Sequence, residues 1–175
     1  MASIEVQQLT AEHASAAREL ILARFLELSG PEIIETWYGD VRTIDEQYVN
    51  NERQAGFVAL DGDRVVGAAV IRARCPTIAP LAGRYNPAAT CELGRVIVDH
   101  THRRRGLARA LVEHARRWAR ERYAVLTLHT DVNNPTALKF WSRIATEVHE
   151  TSDGIVFFEL PLDIPVPGSE RAGPR

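Results

Sequence analysis

The stretch that most restricts the fold lies between residues 90 and 130. It reads "TCELGRVIVD", then "HTHRRRGLARALVEHARRWARERY", then "AVLTLHT". Two apolar, β-rich runs flank a segment of helical periodicity, the pattern of a strand–helix–strand unit. Strands joined through a helix are parallel, and the crossover is right-handed. In the helix, expected over about 104–121, Leu107, Leu111, Ala115, Trp118 and Ala119 share one face, and Arg109, Arg116, Arg117 and Arg120 the other.

The rest of the chain is arranged around this unit. Residues 3–8 suit a short strand. Thr10 precedes a helix over 11–28, with Ala14, Ala17, Ile21, Phe25 and Leu28 at helical spacing, and Gly30-Pro31 stops it and can start a second, shorter helix. Thr43 and Glu46 match a capping box, which predicts a helix over 44–52. "GFVALDGDRVVGAAVIRAR" is two apolar runs about Asp61-Gly62-Asp63, a hairpin. Residues 75–89 form a long Pro- and Gly-bearing loop, a kind of segment that is often functional. Asn134-Pro135 opens a helix to about 145, "TEVHE" and "GIVFFEL" close the fold as strands, and 161–175 is a loose tail. The expected class is α/β (α+β): a mixed, mostly antiparallel central sheet with helices on both faces. No repeat or second boundary is visible, so residues 1–160 are expected to form one domain.

The three arginines Arg103, Arg104 and Arg105 raise the question of which anion they meet. The net charge of −2 weakens a nucleic-acid reading. No run of eighteen apolar residues is present, so no membrane partner is expected. The opening "MASIEVQQLT" lacks a basic start with an apolar run behind it, so no secretory leader is expected. Cys75 and Cys91 have neither metal nor redox spacing. A cytoplasmic protein without a metal is the expectation. Arg103–Arg105 and Gly106 sit where a strand turns into a helix, and free amides and the positive end of the helix dipole meet there. Gly106 allows the backbone to approach a phosphate closely. Neither a Walker loop nor a dinucleotide fingerprint is present.

The blocks "ELGRVIVDHTHRRRGLARALVEHA" and "LTLHTDVNNPTALKFWSRIATEV" resemble the GNAT superfamily of acetyl-CoA-dependent N-acetyltransferases. The family's pyrophosphate signature, Gln/Arg-x-x-Gly-x-Gly/Ala, is matched by Arg103, Gly106 and Ala108. Its second signature, Asn then Ala leading a helix that ends at an aromatic, is matched by Asn134, Ala137 and Phe140-Trp141. The likeness covers roughly residues 56–160. It implies that Val96, Ile97 and Val98 hold the pantetheine arm through their backbone. It further implies that the amides of Arg103, Arg104, Arg105, Gly106, Leu107, Ala108 and Arg109 cradle the pyrophosphate, and that Asn134 contacts the arm. The two parallel strands are expected to splay apart to make the thioester slot.

Acetyl transfer needs a neutral amine, an oxyanion donor and a way to release the thiolate. At neutral pH an ordinary alkylamine, with a pKa of about 10.4, is neutral in fewer than about one molecule in a thousand. Glu92 is the candidate base, at the distance from Gly106 found for the catalytic glutamate of the histone-type branch. Pairing with Arg95, or orienting the substrate, are its alternatives. The resemblance makes the N–H of Val96 the oxyanion donor. Many relatives protonate the thiolate with a tyrosine where this chain has Trp141, whose indole cannot serve. Water, Ser142, Tyr85 or Tyr38 stand in its place, or Trp141 only packs at the sulfur end. The family's Gly-Phe is replaced by Ala145-Thr146.

Several residues keep plainer readings. His100 and His102 are expected to be solvated rather than metal-bound, His129 packed or facing the substrate cleft, and Cys91 a small core residue, while Asp131 either attracts a cationic acceptor or caps the next helix. Trp37 and Tyr38 either line an acceptor pocket or pack in the core. The first functional reading is acetyl transfer from acetyl-CoA to an amine, of a small molecule or a protein, by direct attack in a ternary complex. The alternative is a catalytically weak acyl-CoA-binding regulatory module. Nucleic-acid binding ranks last. The acceptor and the acyl length are not readable, and a homodimer stays open.

Overall fold

The computed structural model describes residues 4–29 and 35–162. The Gly30-Pro31 stop and nearly all of the 161–175 tail lie outside the described residues. Seven strands form one mixed sheet in the order β1-β2-β3-β4-β5-β7-β6. They are β1 (Ile4–Gln8), β2 (Ala55–Asp61), β3 (Arg64–Arg72), β4 (Thr90–Val98), β5 (Val125–Asp131), β6 (Thr146–Glu150) and β7 (Ile155–Leu160). The helices are α1 (Ala11–Ser29), α2 (Glu35–Arg42), α3 (Ile44–Tyr48), α4 (Leu107–Arg120) and α5 (Pro135–Trp141). The chain divides into two compact units, residues up to 71 with 95–115, and residues 72–94 with those from 116 on.

In the first unit β1 and β2 pair antiparallel, and β2 turns into β3 as the hairpin pattern predicts. The apolar stripe of α1, Ala14, Ala17 and Ile21, packs with Val41, Ile44 and Tyr48 on Val58, Leu60, Ala68 and Val70. Fully buried side chains such as Ile21 and Val58 each contribute about 1.5–3 kcal/mol by leaving water. The capping box at Thr43 does not form. Its hydroxyl donates backward to Gly39 O at 3.4 Å, closing the end of α2. Without that cap α3 is a single short helix ending at Tyr48 rather than at 52.

The second unit holds the parallel pair. Thr90, Cys91 and Glu92 face Val125, Leu126 and Thr127 in register. β7 runs antiparallel to β5, and β6 antiparallel to β7. Asn134 Oδ1 accepts from Ala137 N at 3.2 Å, so this side chain caps α5 with Pro135 behind it. The helix ends at Trp141, short of 145, because Trp141 O accepts the amides of both Ile144 and Ala145, at 3.0 and 2.9 Å. That tight turn does the work of the missing Gly-Phe.

Helix α4 begins later than its periodicity suggests. Residues 100–102 form a 3-10 turn, and Arg104 and Gly106 take left-handed backbone angles (φ 63° and 80°), so regular helix cannot start before Leu107. Arg116 departs from the expected polar face. It is buried, because it shares the stripe of Val112, Ala115 and Ala119 at helical spacing.

Candidate active site

The arginine turn lies in the first unit and is fixed from below. Asp99 Oδ1 accepts from the amide and hydroxyl of Thr101, at 2.9 and 2.5 Å, and Asp99 Oδ2 accepts from Arg64 at 3.0 Å. Hydrogen bonds from Thr101, with lesser help from His102 and the Arg64 charge, hold the Asp99 carboxyl down at about 2 despite some loss of solvent. His102 is buried, with Nδ1 2.8 Å from Thr101 Oγ1 and Nε2 3.0 Å from Asp61 Oδ2. It is a tie between turn and hairpin, not the solvated side chain expected of it.

Above this base the turn is built for an anion. The carbonyl of Gly106 accepts the first helical bond, from Ala110 N at 3.0 Å, which leaves the amides of Gly106, Leu107, Ala108 and Arg109 without intrahelical partners. A side chain at Gly106 would meet no heavy atom within 4 Å, so the space above it is open. Arg103, Arg104 and Arg105 are exposed around it. Arg109 Nε is buried and has no partner among the described residues. Four open amides at a helix N-terminus fit a diphosphate.

The strand leading into the turn presents a second set of open groups. Asp99 N donates to Val66 O at 2.9 Å, and Ile97 O faces Gly67, where an added Cβ would stand 3.3 Å away. Strand alternation therefore turns the amides of Val96 and Val98 to the other edge. On that edge the ladder with β5 has already ended at Glu92 and Thr127, although β4 continues to Val98. One group there is engaged, since Arg103 Nε donates to Val98 O at 3.2 Å. Arg95, just before Val96, has a left-handed backbone (φ 55°), the conformation of a bulge residue.

Glu92 sits in the second unit at the end of the parallel ladder, with its side chain 5% exposed. Its Oε1 accepts from Arg72 Nη2 and from Arg74 Nε and Nη2, the last two at 3.1 and 2.8 Å. Its Oε2 lies 3.5 Å from His129 Nδ1. Burial pushes the carboxyl up, but the His129 contact and the Arg72, His129 and Arg74 charges outweigh it and hold it at about 2. The alternative partner, Arg95, is elsewhere. It donates to Asp40 Oδ1 at 2.9 Å and lies over the rings of Phe25 and Tyr38 at 4.8 and 5.2 Å.

The residues named as thiolate donors are mostly occupied. Ser142 Oγ donates to Leu138 O at 2.9 Å. Tyr85 donates its hydroxyl to Glu159 at 2.9 Å, and burial, then that carboxylate, raises its pKa. Trp141 is buried and stands edge-on to Phe140, with centroids 4.7 Å apart.

The profile of the Acetyltransferase (GNAT) family matches residues 21–145. The chain belongs to the GNAT acetyltransferase family. Solved GNAT structures share its fold at low identity. An acetyltransferase of this family from Staphylococcus aureus Mu50 aligns with a TM-score of 0.71 at 15% identity, over 91% of this chain and 99% of that one. The GNAT domain of S. lividans PAT aligns with a TM-score of 0.66 at 20% identity, over 90% of this chain and 89% of that one. A Salmonella typhimurium protein solved with its cofactor acetyl-CoA aligns at 0.64 and 16% identity, over 99% and 98%. No curated protein matches the sequence.

Within the GNAT fold, further positions differ from or sharpen the sequence reading. Asp131 Oδ1 accepts from Asn133 N and Nδ2, at 2.7 and 2.9 Å, so it fixes the turn before α5 while Asn134 is the cap. Cys91 is buried, as expected of a core residue. Tyr38 is buried against Phe25, at 4.1 Å between centroids, and the side chain of Trp37 lies outside the described residues. Arg72 and Arg74 escaped the sequence reading altogether. They end a hairpin strand eighteen or more residues from Glu92, and no local pattern marks them.

Proposed function

We propose that this GNAT member transfers an acetyl group from acetyl-CoA to an amine by direct attack in a ternary complex, with residues 1–160 acting as one domain in the cytoplasm. The observation that carries this reading is the turn at Gly106, with its four open amides. In it the amides of Arg103 to Arg109 hold the pyrophosphate, and Val96, Ile97 and Val98 hold the pantetheine arm. Asn134 touches the arm through its amide nitrogen, since its oxygen caps α5. Trp141 packs at the sulfur end. The N–H of Val96 stabilises the oxyanion. Glu92 is the carboxylate of the proton-removal step. The acceptor is a small-molecule or protein amine, and no described helix is long and apolar enough to cross a membrane.

Calorimetric titration with coenzyme A and thiol release over a panel of primary amines test this reading. Micromolar binding and turnover are expected, with binding weakened at least tenfold in Gly106→Val. That change fills open space but forces a β-branched residue into a left-handed conformation. A second reading, an acyl-CoA-binding module with weak catalysis, draws support from Trp141 in the tyrosine position and from the engaged hydroxyls of Ser142 and Tyr85. Tight coenzyme A binding without turnover on any amine would favour it.

A further inference from the structure

We propose that His129 is the group that takes the proton from the attacking amine, and that Glu92 serves to hold its ring. This inference rests on the acetyl-transfer reading above. Glu92 is poorly placed to accept a proton itself. It is buried, two guanidinium groups share its Oε1, and only Oε2 remains, directed to His129. A carboxylate so stabilised is a weak base near neutral pH.

His129 has the complementary properties. It stands on β5 one alternation beyond Thr127, the residue that pairs with Glu92, so both side chains project from the same face. Its side chain is 36% exposed, and its ring leans on Phe157 with centroids 5.5 Å apart. Nδ1 faces Glu92 Oε2 at 3.5 Å, long for a hydrogen bond but of the order that tightens when substrate is bound. A proton on Nδ1, drawn by the carboxylate, leaves the lone pair on Nε2. Nε2 has no partner among the described residues. Imidazole is the side chain most often used as a general base near neutral pH.

The charged groups of this face on β5, on β7 and at the end of β3 are committed, and beyond Phe157 the face carries His149 on β6. Arg72 and Arg74 are on Glu92, Asp131 is turned to Asn133, and Glu159 on β7 is held by Arg84 and Tyr85. Phe157, directly opposite His129 on β7, carries no charge.

In the step, the nitrogen lone pair forms the C–N bond to the acyl carbon while one N–H proton passes to His129 Nε2. The C–S bond breaks, and its electron pair leaves with sulfur. The thiolate takes a proton from water, and His129 returns its proton to solvent, so amine and acetyl-CoA give amide and coenzyme A.

The test compares wild type, His129→Asn and Glu92→Gln in thiol release with acetyl-CoA and the primary amine best used by the wild type, across pH 5.5–9. Coenzyme A binding is measured alongside by calorimetry. His129→Asn is expected to bind coenzyme A as the wild type does and to lose about 100-fold or more in kcat/KM. Added imidazole should restore part of the rate. Glu92→Gln should lose less, with nitrogen NMR of His129 moving from the Nδ1–H tautomer to a mixture. Coenzyme A binding and turnover with an unchanged profile in His129→Asn would overturn the inference and leave acetyl transfer standing. A wild type that binds no coenzyme A, or acetylates nothing, would overturn both.

Discussion

The guanidinium of Arg72 lies where a side chain at position 94 would begin: a Cβ on Gly94 would stand 2.9 Å from Arg72 Cζ and 3.2 Å from its Nε. Arg72 is also the buried partner of Glu92. Gly94→Ala therefore requires the guanidinium to shift beside the carboxylate. A stability loss of about 1–3 kcal/mol in denaturant titration is expected, the usual range for overpacking. A fall in kcat/KM should accompany it, with coenzyme A affinity unchanged. Gly94→Ala that melts and turns over like wild type would show that Arg72 yields freely.

Glu92 ties stability to acid. Its carboxyl is held at about 2 in the folded chain against an ordinary 4.5. A depressed carboxyl favours the folded state fully above its unfolded pKa, and the benefit is lost as pH falls through the folded one. The contribution is on the order of 3 kcal/mol. Urea titrations of wild type and Glu92→Gln should thus converge between pH 5 and pH 2. Parallel curves would mean that the two arginines do not stabilise the charge.

The two cysteines should react unequally. Burial, and then the charge of Glu92, pushes the Cys91 thiol up to about 12, and its Sγ lies 3.7 Å from Val125 O. Cys75 is partly exposed. Because the thiolate is the reactive form, iodoacetamide at pH 8 should label Cys75 in the native protein and Cys91 only on unfolding. Mass spectrometry of tryptic peptides reads this directly.

Arg95 separates backbone strain from contact. Both Arg95→Ala and Arg95→Gly remove the ion pair to Asp40 and the cover over Phe25. Only glycine takes φ 55° without steric cost. The glycine variant should be the more stable of the two by about 1 kcal/mol. The reverse order in thermal or urea melts would indicate that the strand relaxes out of the left-handed conformation.

The parts of the fold that periodicity fixes were legible: the hairpin, the parallel pair at 90–92 and 125–127, and the closing strands fall where the residues place them. Local capping was less so. Thr43 satisfies the capping-box pattern, yet its hydroxyl finds the carbonyl of Gly39 first. Arg116 looks polar on a helical wheel, and its position in the stripe is what buries it. For the site, the turn around Gly106 was readable because consecutive residues make it. The surroundings of Glu92 were not, because Arg72, Arg74 and His129 reach it from two other strands and only the register of the sheet brings them there.

The early end of the ladder between β4 and β5 has a consequence beyond chemistry. A strand edge with outward amides invites pairing with any extended chain, the first step of aggregation. Whatever lies along Val96 to Val98 also acts as a plug, so the empty protein should be the stickier form at high concentration, and the filled one the easier to keep in solution.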